Sequence, residues 1–150
     1  MDLRDLYEDI ILDHNRNPRN YGPLDAGETH SAHGYNPLCG DDVHLHLAVA
    51  DGVVTAAAFE GRGCAISTAS ASLLTEAVKG RPVAEVEALF ERIRAVLTGE
   101  AEAPDIDDPV GDLVALAGVR EFPMRVKCAT LAWHTLHAAL ECSDAPVTTE

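Results

Sequence analysis

The sequence predicts an α+β fold: a small antiparallel β-sheet with helices packed on one of its faces. Three observations carry this. Period-two alternation is confined to the stretch between His30 and Glu60, helical periodicity rules after Cys64, and Asp51-Gly52 between two apolar runs is a hairpin signal. Strands grouped ahead of helices favour α+β over an alternating parallel arrangement. At 150 residues the chain suits one domain with a real core. Residues 1–142 are read as that single domain and 143–150 as a flexible C-terminal tail.

The elements follow in order. Residues 2–14 read as a helix, because Leu3, Leu6, Tyr7, Ile10 and Ile11 recur on one face. Asn15 to Gly27, with Pro18, Gly22 and Pro23, is a loop. His30 to Tyr35 is a weaker strand signal. Val43, Leu45, Leu47 and Val49 alternate with His44, His46 and Ala48, as a strand with one buried face requires. Val53 to Glu60 returns as a second long strand. Ala65 to Lys79 suits a helix closed by Gly80, with Ala69, Leu73 and Ala77 on one side. Pro82 opens another, whose apolar stripe is Val83, Val86, Leu89, Phe90, Ile93 and Leu97. Residues 99–108 form an acidic loop, Pro109 to Ala117 a short helix ended by Gly118, and Ala129 to Glu141 the last helix.

Charge narrows the function. There are 25 acidic residues against 11 basic, a formal net charge of −14. A phosphate backbone is bound mainly by neutralising it with Lys and Arg, so nucleic acid is not an expected partner, nor is an anionic membrane. A solubilising acidic surface is the simplest reading of that charge. The N-terminus carries acids where a signal peptide carries bases, and no apolar run approaches the roughly 20 residues that span a bilayer. A soluble, cytoplasmic protein is expected. In that reducing compartment four cysteines do not form a disulfide framework by default.

Three cysteines fall where elements begin. Cys39 and Asp41 precede the first long strand in Asn36-Pro37-Leu38-Cys39-Gly40-Asp41. Cys64 follows Gly61-Arg62-Gly63 and opens a helix; Cys128 follows Arg125-Val126-Lys127 and is expected to open the last one. Backbone N–H groups at a helix start favour the thiolate, which is the form that binds metal and attacks sulfur. If strand parity extends back through the loop, Cys39 and Asp41 face the side that the helices cover. Three thiolates and a carboxylate suit tetrahedral zinc, and cysteine sulfur also holds iron–sulfur clusters. Around a divalent ion that set leaves about two negative charges, which Arg125 and Lys127 are placed to offset. Spacing alone leaves open that these cysteines are small buried hydrophobes. Cys142, about 21 Å beyond Cys128 at 1.5 Å per residue, is a bystander. His44 and His46 share the polar strand face and read as solvated; His134 and His137 read as decoration of the last helix. No HExxH, GxSxG, P-loop or GxGxxG motif is present.

Four segments together resemble one family. They are Tyr7…Asp13-His14…Pro18-Arg19-Asn20-Tyr21-Gly22; Asn36-Pro37-Leu38-Cys39-Gly40-Asp41; Phe59-Glu60-Gly61-Arg62-Gly63-Cys64-Ala65-Ile66-Ser67; and Arg125-Val126-Lys127-Cys128-Ala129-Thr130-Leu131-Ala132-Trp133. In this order, over residues 7 to about 140, the chain resembles the U-type iron–sulfur assembly proteins, the SufU/IscU, NifU N-terminal-like family. It is closer to the SufU branch. IscU-like proteins have His directly before the third cysteine, where this chain has Lys127. They also carry a Leu-Pro-Pro-Val-Lys chaperone motif, where this chain reads Phe122-Pro123-Met124-Arg125-Val126-Lys127. An extra helical segment between Cys64 and Cys128 points the same way.

The resemblance implies a SufU/IscU-like fold and Zn2+ held by Cys39, Asp41, Cys64 and Cys128. It implies a SufS-type pyridoxal-phosphate cysteine desulfurase as partner and Suf scaffold proteins downstream. Cys39 is then the sulfur acceptor, released from zinc when a partner His takes its place, and Arg125 steers docking or balances the site's charge. The protein would be a sulfur carrier that activates the desulfurase rather than a stand-alone enzyme. Two alternatives stand beside this: a scaffold on which an iron–sulfur cluster is built on the same ligands, and a structural zinc domain that mediates contacts.

Overall fold

Alternating apolar and polar residues make Asp41–Ala50 (β2) the middle of an antiparallel trio with His30–Asn36 (β1) and Val53–Arg62 (β3). The computed structural model of the chain describes residues 3–24, 27–37, 40–98, 100, 113, 115–116, 123–141 and 147–148. β2 and β3 are joined at Asp51-Gly52, with φ of 52° and 75°. Both residues sit in the left-handed region that a two-residue type I′ hairpin demands, and Gly52 adopts it without a Cβ penalty. A register shift between Ala48 and Val49 breaks the strict alternation, so Ala48 is buried although its parity places it with the polar residues.

The weaker strand signal at His30 is a full strand, one residue longer than its expected end at Tyr35. Within the stretch read as a tail, Val147–Thr148 (β4) pairs in parallel with Gly34 and Tyr35. The sheet order is thus β3-β2-β1-β4.

The helices are Leu3–Arg16 (α1), Ala65–Val78 (α2), Val83–Leu97 (α3) and Pro123–Leu140 (α4). The main core lies on the sheet face that carries Val43, Leu45, Leu47 and Phe59. Against it pack Leu73, Leu74 and Val78 of α2, Val86, Phe90 and Ile93 of α3, and Leu131, Trp133 and Leu136 of α4. Burying each of these large side chains stabilises the fold by about 1.5–3 kcal/mol before chain entropy is set against it. α1 lies along α2, where Ile11 meets Ala69 and Ala115.

The motif after α1 docks by hydrogen bonding. Gly22 N–H donates to Phe59 O and Phe59 N–H donates to Asn20 O, covering the open edge of β3. Asn20 has φ of 59°, a conformation Asn tolerates, and its side-chain amide reaches Thr75 and Glu76 of α2.

One boundary differs from expectation with consequences for the site. The last helix begins at Pro123, not Ala129, because proline is well suited to the first helical position, where no N–H is needed. Cys128 therefore lies in the second turn of α4 rather than at its start. His134 and His137 are also more than decoration. His137 stacks on Phe90 and pairs with Glu87 (3.0 Å) and Glu141 (3.1 Å), while His134 meets Phe90 edge-on, tying α4 to α3. Cys39, Cys142 and most of residues 99–117 lie outside the described residues; Leu113, Ala115 and Leu116 are buried in the core. Among the described residues no helix is long and apolar enough to cross a membrane.

Candidate metal centre

Three elements meet where Asp41 starts β2, Cys64 caps α2 and Cys128 sits on α4. One ligand atom from each of Asp41, Cys64 and Cys128 lies within 4.8 Å of the others. Asp41 shares the inward face of β2 with Val43, as strand parity predicts, and is only 2% exposed. Its Oδ1 accepts the Cys64 N–H at 2.9 Å. Its Oδ2 is buried and has no hydrogen-bond partner among the described residues. An orphaned carboxylate oxygen in the interior is costly unless a cation or donor meets it.

Cys64 is the N-cap of α2, in extended conformation (φ −70°, ψ 170°), and its Sγ accepts the Ser67 N–H at 3.4 Å. The expectation that this cysteine opens a helix holds, and its sulfur sits among the unpaired N–H groups of the first turn. Cys128 reaches the same place differently. It is buried in the body of α4, so the helix-start argument does not apply to it. Both residues are thiols, not a disulfide.

Gly63 makes the approach of β2 and α2 possible. A Cβ there would lie 2.5 Å from Asp41 Oδ1, closer than packed atoms allow, and in a tight 3.2 Å contact with Ser67 Oγ. Gly63 is thus a steric requirement of the Asp41 carboxylate, whereas Gly61 is required by the Asp42 backbone, whose carbonyl oxygen a Cβ would meet at 2.0 Å.

α2 and α4 are locked behind the cluster. The buried Ser70 hydroxyl donates to Ala129 O at 2.6 Å and accepts the Trp133 indole N–H at 3.2 Å. The sequence reading missed this bridge. Its only trace is the run of small hydroxyl residues, Ser67, Ser70, Ser72 and Thr75, buried on α2. Arg125 stands one turn before Cys128 on α4 and is exposed, and Lys127 is half-buried. The histidines are not drawn into this cluster: His44 and His46 lie on the opposite face of β2.

The donor set, two sulfurs and a carboxylate oxygen converging in a buried corner, fits a borderline divalent cation such as zinc.

The profile of the NifU-like N terminal domain matches residues 6–129. The zinc-dependent sulfurtransferase SufU of Bacillus subtilis (strain 168) is 40% identical over 134 residues, spanning 89% of this chain and 88% of that protein. The iron–sulfur cluster assembly scaffold protein IscU of Thermotoga maritima is 39% identical over 142 residues, 94% of this chain and 96% of that one. Among solved structures, a candidate SUF-system scaffold protein from Fervidobacterium islandicum AW-1 superimposes with a TM-score of 0.79 at 29% identity, covering 93% of this chain and 99% of that chain.

Proposed function

The chain belongs to the family of NifU-like N-terminal domains, and on that premise we propose that it is a zinc-holding sulfur carrier of iron–sulfur cluster assembly. The observation that carries this reading is the convergence of Asp41, Cys64 and Cys128 around a buried, unpartnered carboxylate oxygen. Asp41, Cys64 and Cys128, with Cys39, which falls between β1 and β2 in the sequence, hold the ion. When bound it keeps their thiols deprotonated and shielded.

Cys39 is the sulfur acceptor. Its thiolate attacks the outer sulfur of a persulfide on a pyridoxal-phosphate cysteine desulfurase of SufS type. The S–S bond of that persulfide breaks, the desulfurase cysteine leaves as thiolate, and the transferred sulfur remains on Cys39 as a new persulfide. Asp41 and the Ser67 N–H keep Cys64 in place while this happens. Arg125 supplies positive charge on the approach to an otherwise acidic protein. Suf scaffold proteins downstream receive the sulfur, and the setting is the cytoplasm. Lys127, at the position where resemblance to the IscU branch would imply His, favours this reading over a cluster scaffold on the same ligands.

The deciding experiment is alanine production by the cognate desulfurase with and without the zinc-loaded protein. Strong stimulation that vanishes in Cys39→Ser is expected, while Cys142→Ser changes little. No stimulation, with a coloured cluster forming when iron and sulfide are supplied, would establish the scaffold reading instead.

A further inference from the structure

We propose that the outer face of the sheet carries a second metal site, in which His33, Asp42 and His44 bind one exchangeable divalent transition-metal cation. This site is separate from the cysteine cluster and does not depend on the sulfur-carrier reading.

The strand register creates it. His33 of β1 stands directly opposite His44 of β2, and Asp42 lies two residues back along β2 on the same outward face. Directly opposed side chains start with their Cβ atoms about 5 Å apart, so the backbone ladder itself delivers the two rings to one spot. The rings stack with centroids 4.1 Å apart and planes 4° from parallel. Their Nε2 atoms converge on one carboxylate oxygen: His33 Nε2 lies 3.0 Å and His44 Nε2 3.6 Å from Asp42 Oδ1. One donor atom from each of the three residues lies within 4.8 Å of the other two.

These spacings match the edges of a coordination polyhedron. A tetrahedral ion with bonds near 2.05 Å has donor–donor edges of about 3.3 Å, between the two observed values. Two imidazoles and a carboxylate suit zinc and ferrous iron. The neighbourhood is mixed in charge. Glu60 stands opposite His44 on β3 and holds His46 Nε2 at 2.8 Å, Glu28 holds its other ring nitrogen, and Arg62 stands opposite Asp42. The His33, Asp42 and His44 side chains keep 34%, 41% and 52% of their exposure, so water completes the shell and the ion exchanges freely. Ligands anchored on paired strands hold their geometry better than ligands on loops.

The test starts from the zinc-loaded protein and titrates Co2+ followed by absorption and calorimetry. The expected result is a further equivalent whose spectrum lacks sulfur-to-cobalt charge transfer, with paramagnetic broadening of the His33 and His44 ring signals in NMR. His33→Asn and His44→Gln should each raise the Kd of that equivalent at least about tenfold, since even second-shell losses cost that much. His46→Asn should leave it in place. Absence of a further equivalent in the native protein, broadening centred away from His33 and His44, or an unchanged Kd in both variants would overturn the proposal. Thiolate charge transfer in the titration would instead report exchange at the cysteines, which tests the other site separately.

Discussion

Asp41→Asn should change the sign of its effect on stability when metal is removed. In the native fold Asp41 is 2% exposed, its Oδ1 accepts the Cys64 N–H at 2.9 Å and its Oδ2 has no hydrogen-bond partner among the described residues. A buried polar group left unsatisfied costs about 1–3 kcal/mol, and more when charged. Asparagine keeps the Oδ1 bond, removes the charge and points an amide toward the sulfurs of Cys64 and Cys128. Without metal the variant should therefore be more stable by about 2 kcal/mol, a rise of about 4–8 °C in Tm for a domain of this length. With metal the order reverses. Loss of one ligand that weakens binding about 100-fold removes about 2.7 kcal/mol of linked stability at saturating zinc. Thermal melts of both proteins by circular dichroism, in chelator and in zinc, check this. A variant that is also less stable in chelator, or zinc that raises both melts equally, would refute the idea that Oδ2 is kept for a cation.

Ser70→Ala leaves the Trp133 indole N–H buried without its acceptor and cuts the tie to Ala129, so a loss of about 2 kcal/mol is expected in urea unfolding. The same variant should release zinc faster to a chromophoric chelator, because the bridge joins the helices that carry Cys64 and Cys128. Burial, with help from His137 and Arg94, holds His134 below its usual pKa of 6.5, against an opposing pull from Glu91. The unfolded chain then takes up the proton first. Stability from neutral His134 is complete above pH 6.5 and is lost as pH falls through the lower folded value. The urea midpoint should drop between pH 7.5 and pH 5.0, by less in His134→Gln.

Much of this molecule is determined locally. Period-two alternation around Val43, the Asp51-Gly52 turn and the apolar stripe from Val83 to Leu97 depend on near neighbours in the chain, so the three antiparallel strands, the hairpin and the bodies of the helices were legible without coordinates, whereas β4 was not. The inward direction of Asp41 was legible from strand parity and the helix-opening place of Cys64 from the change of period after it, because both follow from adjacent residues. Four motifs in fixed order also marked the family. What only the tertiary structure decided are relations between distant segments. The start of α4 at Pro123 moves Cys128 off the helix terminus, yet packing of α4 against α2 still brings its sulfur to Asp41. The Ser70–Trp133 bridge and the stacking of His137 on Phe90 arise from helix–helix contact. The meeting of His33 with His44 depends on strand register, which a slip of one residue would abolish by turning the partner side chain to the other face. Such pairings depend on long-range packing energy, and no stretch of neighbouring residues encodes it.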